Sequence, residues 1–341
     1  NLMERNKFIF MTNTMRAGSS YLTRILSSHE KIALSYDSLN FFRYIFNRYE
    51  NVHLEKNFCK LIQDTAFRLE NRFGINVDID ACIEDASEHG FSYASAYWVL
   101  LKSIFNKHQS LYLGDKEALA WSKIPIFVNM FPKGKVIITL RDPRDIVSSF
   151  KKITIAPGND YLIALFNAID LVNHAKRFVN LYPENIHIVQ FEKLKIDTET
   201  EVKKLCAFLQ LEFDNRMLNQ KNYTDHFGNT WDDKLSRSYP EERDPLMPVG
   251  RWKKNILKED LLLCEWLAQN QISYMGLSLS GEQFSQGEFD RALAKVKSSS
   301  LLREAFKNWC LLGEGCERFP LNPIDPKNWE KENILKPDKF K

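Results

Sequence analysis

The chain has 341 residues, 44% of them hydrophobic and 27% charged, enough apolar material for one large domain or one domain with additions. Its formal net charge of +3 argues against a nucleic-acid binder held by phosphate charge, while leaving room for a local basic groove around an anionic ligand. No apolar run reaches the length of a membrane span and the N-terminus carries no signal-peptide pattern, so the expectation is a cytoplasmic protein. The cysteines (Cys59, Cys82, Cys206, Cys264, Cys310, Cys316) lack a C-x-x-C pair or zinc spacing and read as buried free thiols, with Cys310 and Cys316 the one pair close enough in sequence to suggest a disulfide.

In chain order, Phe8-Ile9-Phe10-Met11 reads as a buried strand, Thr12 to Ser20 as a tight loop, and Leu22, Ile25 and Leu26 as the apolar face of a helix. Gly18 lets backbone approach an anion, the hydroxyls of Ser19 and Ser20 lie at a helix N-terminus, and Arg16 adds a fixed positive charge. Together these make a phosphate cradle. The nucleotide-hydrolase loop G-x-x-x-x-G-K-[ST] does not fit, because no glycine opens it and Ser19 stands in the place of its Lys. Lys31–Tyr36 is a second short strand ending at Asp37, and Phe41, Phe42, Tyr44, Phe46 and Tyr49 crowd the segment behind it. Helical spacing runs over Leu54–Phe73 and Phe91–Phe105, with a connection and short helix between them. Leu111-Tyr112-Leu113 is a third strand, followed by Gly114-Asp115-Lys116-Glu117 and a helix over Ala118–Phe131.

Val136-Ile137-Ile138-Thr139-Leu140 is an apolar, β-branched strand that runs directly into Arg141-Asp142-Pro143-Arg144-Asp145. Asp142 suits an N-cap, Pro143 the first helical position and Asp145 the capping-box position, so a second helix also begins at the C-terminal end of a strand. A long helix follows over Asp160–Leu181, a strand with its exit over Ile186–Leu194, a helix over Glu199–Leu209, a polar loop over Asn222–Ser238 and a helix over Lys258–Gln269. Beyond these lie a helical piece over Phe289–Phe306 and an extended, proline-broken tail around Phe319–Pro326. The expected organisation is a catalytic domain over 1–277 with an extension, 278–341, packed on the same domain.

Arg16-Ala17-Gly18-Ser19-Ser20 after a strand, and Arg141 at a strand end with Ser149 eight residues later, together resemble the sulfotransferases that use 3′-phosphoadenosine 5′-phosphosulfate (PAPS). The resemblance implies an α/β fold, a three-layer sandwich around a mostly parallel sheet of the P-loop nucleotide-kinase type. It places the 5′-phosphosulfate on Arg16, Ala17, Gly18, Ser19, Ser20 and Tyr21, and the 3′-phosphate on Arg141 and Ser149. Pro248–Asn255 resembles the family element Gly-x-Trp-Lys that closes over the cofactor, which adds Arg251, Trp252 and Lys253; the Arg-Lys-Gly triplet of the cytosolic branch is missing at Pro245-Leu246-Met247. Lys116 resembles the Lys of the family's Gly-[ED]-Lys-[TD]-Pro, near the sulfuryl group, although Glu117-Ala118 replaces the last two residues; a surface lysine is the other reading. Phe191 replaces the Tyr of Tyr-Glu-Asp-Leu and removes its hydroxyl.

Two residues qualify as the base that takes the acceptor's proton. Golgi and bacterial branches of the family use a carboxylate about two dozen residues past the loop, and Asp37 stands 21 residues after Arg16. Asp37 equally suits a cap for a helix beginning near Leu39. His226 is the second candidate, since histidine serves in the cytosolic branch. The implied activity is in-line transfer of a sulfuryl group from PAPS to the hydroxyl of a small or carrier-bound acceptor, leaving adenosine 3′,5′-bisphosphate and requiring no metal. A sugar, lipid, tyrosyl peptide or biosynthetic metabolite all suit, with Phe91, Tyr93, Tyr97 and Trp98 as an aromatic lining. An ATP-dependent small-molecule kinase of related fold, and a non-catalytic nucleotide-binding module, are the alternatives from other classes.

Overall fold

A computed structural model describes residues 5–105, 110–154, 156–224 and 248–318. The apolar runs become strands β1 (Lys7–Asn13), β2 (Ile32–Tyr36), β3 (Tyr112–Ala118), β4 (Lys135–Leu140) and β5 (Ile186–Gln190). They pair in parallel in the order β2-β3-β1-β4-β5. Parallel neighbours need crossovers, and helices supply them: α1 (Ser19–Ser27), α2 (Phe41–Tyr44), α3 (Glu55–Phe73), α4 (Ile79–Ser87), α5 (Tyr93–Ile104), α6 (Ile124–Met130), α7 (Pro143–Ile153) and α8 (Ile163–Leu181). After β5 come α9 (Phe191–Ile196), α10 (Thr198–Phe208), α11 (Trp252–Asn255), α12 (Lys258–Leu267), α13 (Gln269–Tyr274), α14 (Gln286–Val296) and α15 (Ser300–Leu312). The fold is the three-layer α/β sandwich that the sequence implies.

Side chains alternate across a strand, so each strand feeds two cores. Ile9, Met11, Leu34, Tyr112, Ile137 and Val189 pack with Leu22, Ile25 and Leu26 of α1 and Val202 and Leu205 of α10. Phe8, Phe10, Leu113, Val136 and Ile138 pack on the other face with Leu61, Trp98, Phe127 and Leu171. That second face is rich in rings: Phe8 stacks on Phe131 at 4.1 Å between centroids, and Phe10 meets Phe42 edge-on at 5.0 Å. Burying each such ring contributes about 1.5–3 kcal/mol. Because β1 lies between β3 and β4, the loops leaving all three strands gather at one edge, the place where open α/β sheets bind ligands.

A third core joins α7 and α8 to the C-terminal helices, with Ile146, Val147, Phe150 and Phe166 against Leu263, Leu267, Val296 and Leu302. A buried ion network crosses it. Arg144 pairs with Asp142 at 2.8 Å and with Glu265 at 2.7 Å, and donates to the carbonyl of Ser278 at 2.9 Å. Glu265 in turn accepts from the N–H and hydroxyl of Ser280. The charges are paired and hydrogen-bonded, which is the condition for burying them. Residues 314–318 then run back along α8, where Cys316 N–H donates to Phe166 O at 3.2 Å and Arg318 N–H to Asn167 Oδ1 at 3.1 Å.

Several elements differ from the sequence expectation. β3 continues to Ala118, so Asp115, Lys116 and Glu117 lie inside a strand; Leu119, at φ 56°, ends it. The helix expected over Ala118–Phe131 is a 3₁₀ turn at Trp121–Lys123 followed by α6, whose first turn holds Pro125, a residue with no N–H to place deeper in a helix. The strand over Ile186–Leu194 ends at Gln190, and its exit is helix α9. Phe289–Phe306 divides into α14 and α15 because Ser299 caps the second, accepting from Leu302 N–H at 3.2 Å. Cys310 and Cys316 are both free thiols and form no disulfide. Tyr97 and Trp98, expected to line an acceptor site, are fully buried, with the Tyr97 hydroxyl donating to Ile9 O at 2.8 Å. Phe319–Pro326 lies outside the described residues. Among the described residues no helix is long and apolar enough to cross a membrane.

A Cβ at Gly315 would meet Phe166 O at 1.9 Å and Asp170 N at 2.7 Å, so Gly315→Ala forces residues 314–318 off α8. Overpacking of this kind costs about 1–3 kcal/mol. Thermal melting of the variant is expected to show a transition several degrees below wild type, and an unchanged melt would refute the packing.

Candidate active site

The loop after β1 turns through two left-handed residues, Arg16 at φ 66° and Gly18 at φ 79°. Gly18 is required twice over, because its backbone is left-handed and a Cβ there would sit 2.1 Å from the Phe191 ring. α1 starts at Ser19 with no side-chain cap, so its first-turn N–H groups face the loop. Ala17 and Ser19 are buried, and Ser20 and Tyr21 are half-buried. An uncapped helix start of this kind has the free N–H groups and dipole that favour an anion.

The two phosphate-like motifs meet directly. Arg16 Nε donates to Ser149 Oγ at 2.9 Å, and Arg141 Nη1 donates to Arg16 O at 2.8 Å. Arg141 Nη2 reaches Pro248 O at 2.6 Å, and its guanidinium lies 4.6 Å from the centre of the Phe191 ring. Burial pushes the Arg141 pKa down, while Asp145, Glu192 and Asp142 oppose that push. Arg141 Nε–H is buried with no hydrogen-bond partner among the described residues, as is Thr14 Oγ1. A polar ligand at the loop would have both atoms as prospective partners.

Asp145 does not close a capping box. Asp142 caps α7 by accepting from Arg144 N–H at 2.9 Å, and its own N–H goes to Glu192 Oε1 at 2.8 Å. Asp145 instead accepts from Gly250 N–H and Trp252 N–H, each at 2.8 Å. Burial raises the Asp145 carboxyl above its ordinary pKa, against the lowering effect of Arg141. Residues 250–252 are thereby brought to the end of β4. Trp252 is buried with its ring 4.1 Å from the Arg144 guanidinium, Arg251 is half-buried near Arg141, and Lys253 is exposed.

Lys116 is buried on the α1 face of β3 and pairs with Asp37 at 2.8 Å, the carboxylate remaining largely exposed. Asp37 sits at φ 53° directly after β2. It is not a helix cap, since Asn40 occupies the N-cap position of α2 and the first two N–H groups of that helix go to Asp115 and Glu117. His226 lies outside the described residues.

The sequence motifs assign no role to Asp115, Glu117, Glu192 or Arg68. The signal was present: three consecutive ionisable residues in a strand buried on both faces are out of place unless something holds them. Burial raises Asp115 to about 8, reinforced by the neighbouring Glu117 charge, and burial also raises Glu117. Arg68 of α3 is buried over the Tyr44 ring at 3.7 Å and donates to Ser38 O at 2.6 Å.

The all-parallel sheet flanked by helices is the P-loop-like α/β fold. A family model described as "Sulfotransferase family" matches residues 9–215, and the chain belongs to that family. Among solved structures it is similar to the "Sulfotransferase Domain from the Curacin Biosynthetic Pathway", at 18% identity over 80% of this chain and 99% of that one, with a TM-score of 0.51. It is also similar to the "Sulfotransferase Domain from the Synechococcus PCC 7002 Olefin Synthase", at 20% identity over 77% of this chain and 94% of that one, with a TM-score of 0.52. No curated protein sequence matches the chain.

Two measurements check this geometry. Gly18→Ala is expected to lower stability by about 1–3 kcal/mol through the ring clash and the left-handed backbone, read by chemical denaturation; a neutral result would mean Phe191 does not pack on the loop. Asp115 keeps its proton to higher pH when folded than its ordinary 3.8 allows, so the folded chain binds more protons than the unfolded chain over that interval. Its contribution to stability therefore falls as pH rises from about 4 to about 8 and levels off above. Asp115→Asn is expected to gain in melting temperature over wild type progressively from pH 5 to pH 8; a constant difference would show that Asp115 ionises normally.

Proposed function

We propose that this protein transfers the sulfuryl group of PAPS to a hydroxyl on a small or carrier-bound acceptor. The observation that carries the reading is the Arg16–Ser149 hydrogen bond at 2.9 Å, backed by Arg141 on Arg16 O, which joins the loop after β1 to the helix after β4. Two anion sites joined side by side suit a ligand with two phosphates, as an adenosine 3′,5′-bisphosphate moiety has. The two similar sulfotransferase domains come from biosynthetic assemblies, which supports a biosynthetic acceptor.

PAPS when bound supplies the sulfuryl group on a phosphate leaving group. In this assignment the first-turn N–H groups of α1, with Ala17, Gly18, Ser19, Ser20 and Tyr21, hold the 5′ end. Arg141 and Ser149 hold the 3′-phosphate, with Arg251, Trp252 and Lys253 over it on the turn that Asp145 clamps. Arg16 and Lys116 present positive charge where negative charge develops on the oxygens, the form of stabilisation that contributes most in group transfer of this kind. Asp37 accepts the acceptor's proton; its exposed carboxylate on a buried lysine is open to an incoming hydroxyl. We assign this chemistry to residues 1–277 and treat 278–341 as an extension, whose helices α14 and α15 pack against α7 and α8.

Calorimetry with adenosine 3′,5′-bisphosphate, ADP and magnesium-ATP tests the reading. The bisphosphate is expected to bind without metal and at least tenfold tighter than ADP, and Ser149→Ala and Arg141→Lys are each expected to weaken it about tenfold, a change of roughly 1.4 kcal/mol. A preference for magnesium-ATP would replace sulfuryl transfer by phosphoryl transfer.

A further inference from the structure

Asp115, Lys116 and Glu117 are tied to one loop, the loop that carries Asp37. On the α1 face of β3, Lys116 Nζ holds Asp37 Oδ1 at 2.8 Å. On the opposite face, Asp115 Oδ2 accepts from Phe41 N–H at 2.9 Å and Glu117 Oε2 accepts from Phe42 N–H at 3.0 Å. Both carboxylates are fully buried. They do for α2 what an N-cap side chain usually does, because Asn40 at the cap position makes no side-chain cap.

The loop needs holding. Asp37 at φ 53° and Asn40 at φ 47° are both left-handed, a conformation that Asp and Asn tolerate better than other side chains but that still favours glycine. The remaining restraints come from elsewhere in the fold: Arg68 Nη1 on Ser38 O at 2.6 Å, Ser35 Oγ to Ser38 Oγ at 2.9 Å, and Arg43 on Ala118 O. Asn is a favoured capping residue, but at φ 47° position 40 departs from the extended backbone that a side-chain cap uses. Two carboxylates on β3 instead make the loop and Lys116 a single body, since the same three consecutive residues hold both.

We propose that Asp115 and Glu117 are positioning residues for sulfuryl transfer, which with Lys116 clamp residues 37–42 from both faces of β3 and so fix the Asp37 carboxylate at the strand ends. The proposal rests on the sulfotransferase reading and on Asp37 as base, and it adds residues that neither needs. It also carries a pH signature. The groups facing the pair are Ser35 and Asp37 from β2 and its exit, Arg43 from α2, Tyr97 from α5 and Glu317 from the C-terminal segment. Among them only Arg43 is a cation that favours ionised Glu117, so the pair keeps a proton through the neutral range and Asp115 gives it up near 8. Above that pH two like charges lie side by side without water, and the clamp loosens.

The test uses the full chain with three readouts: calorimetric affinity for adenosine 3′,5′-bisphosphate, slow release of sulfate from labelled PAPS with water as acceptor, and hydrogen exchange of the 37–44 backbone corrected for intrinsic pH dependence. Asp115→Leu and Glu117→Leu remove the oxygens that accept from Phe41 and Phe42. They are expected to speed exchange and slow sulfate release, each at least tenfold, while bisphosphate affinity stays within twofold. Asp115→Asn and Glu117→Gln keep an accepting oxygen and are expected to recover release to within about threefold of wild type below pH 8. Wild type is expected to lose release rate and gain exchange above pH 8, and Asp115→Asn to do neither.

Faster exchange with unchanged sulfate release would overturn the positioning role, as would bisphosphate affinity falling in step with the rate. Should the leucine variants not fold, the wild-type and Asp115→Asn pH profiles decide alone, and identical profiles overturn it. Absence of bisphosphate binding and sulfate release in wild type would instead defeat the sulfotransferase reading, with the exchange results standing apart.

Discussion

The site depends on one buried guanidinium. Arg141 sits at the end of β4 among three pieces of backbone that are distant in sequence, holding Arg16 O and Pro248 O and lying over the Phe191 ring. Phe191 in turn fills the space that a side chain at Gly18 would need. Phosphate loop, β4 helix, β5 exit and the 248–252 turn therefore pack as one unit around a charge that stays positive at any ordinary pH. A lysine has no planar fork to make these bonds in two directions at once, and a neutral residue would leave two carbonyls without donors.

Around that centre, buried carboxylates act chiefly on backbone N–H groups rather than on other side chains. Asp145 holds residues 250 and 252, Glu192 holds the N–H of Asp142, and Asp115 and Glu117 hold the start of α2. Each accepts from backbone donors of another segment that would otherwise be unpaired in the dry interior. Burial raises all four, so each is easier to protonate than an exposed carboxylate. Asp115 and Glu117 reach from β3, and Asp145 and Glu192 from the first turns of α7 and α9, so regular elements fix the irregular segments beside them.

Much of this was legible beforehand. Apolar runs located all five strands, β3 only by its first residues, because burial on both faces favours apolar side chains. The loop at Arg16–Ser20 and the Arg141-to-Ser149 spacing pointed to one ligand, and the fold places them in direct contact. What misled was local logic. Asp145 has capping-box spacing, yet its partners lie 105 residues away or more, and Tyr97 and Trp98 look like pocket aromatics until α5 buries them under the sheet. β3 was read too short for the same reason, since charged residues normally end a strand and here continue it.

The sequence by itself therefore determined the α/β class, the two strand ends that carry the proposed site and the residue types that fill them, because short-range periodicity and fixed motif spacing encode those features directly. Only the tertiary structure decided which strands stand side by side, and so which side chains meet. Lys116 meets Asp37 because β3 pairs with β2 in a register that sets Lys116 beside Tyr36, and Arg16 meets Ser149 because β1 pairs with β4. Such contacts arise from packing between segments far apart in the chain, and no local pattern carries that information.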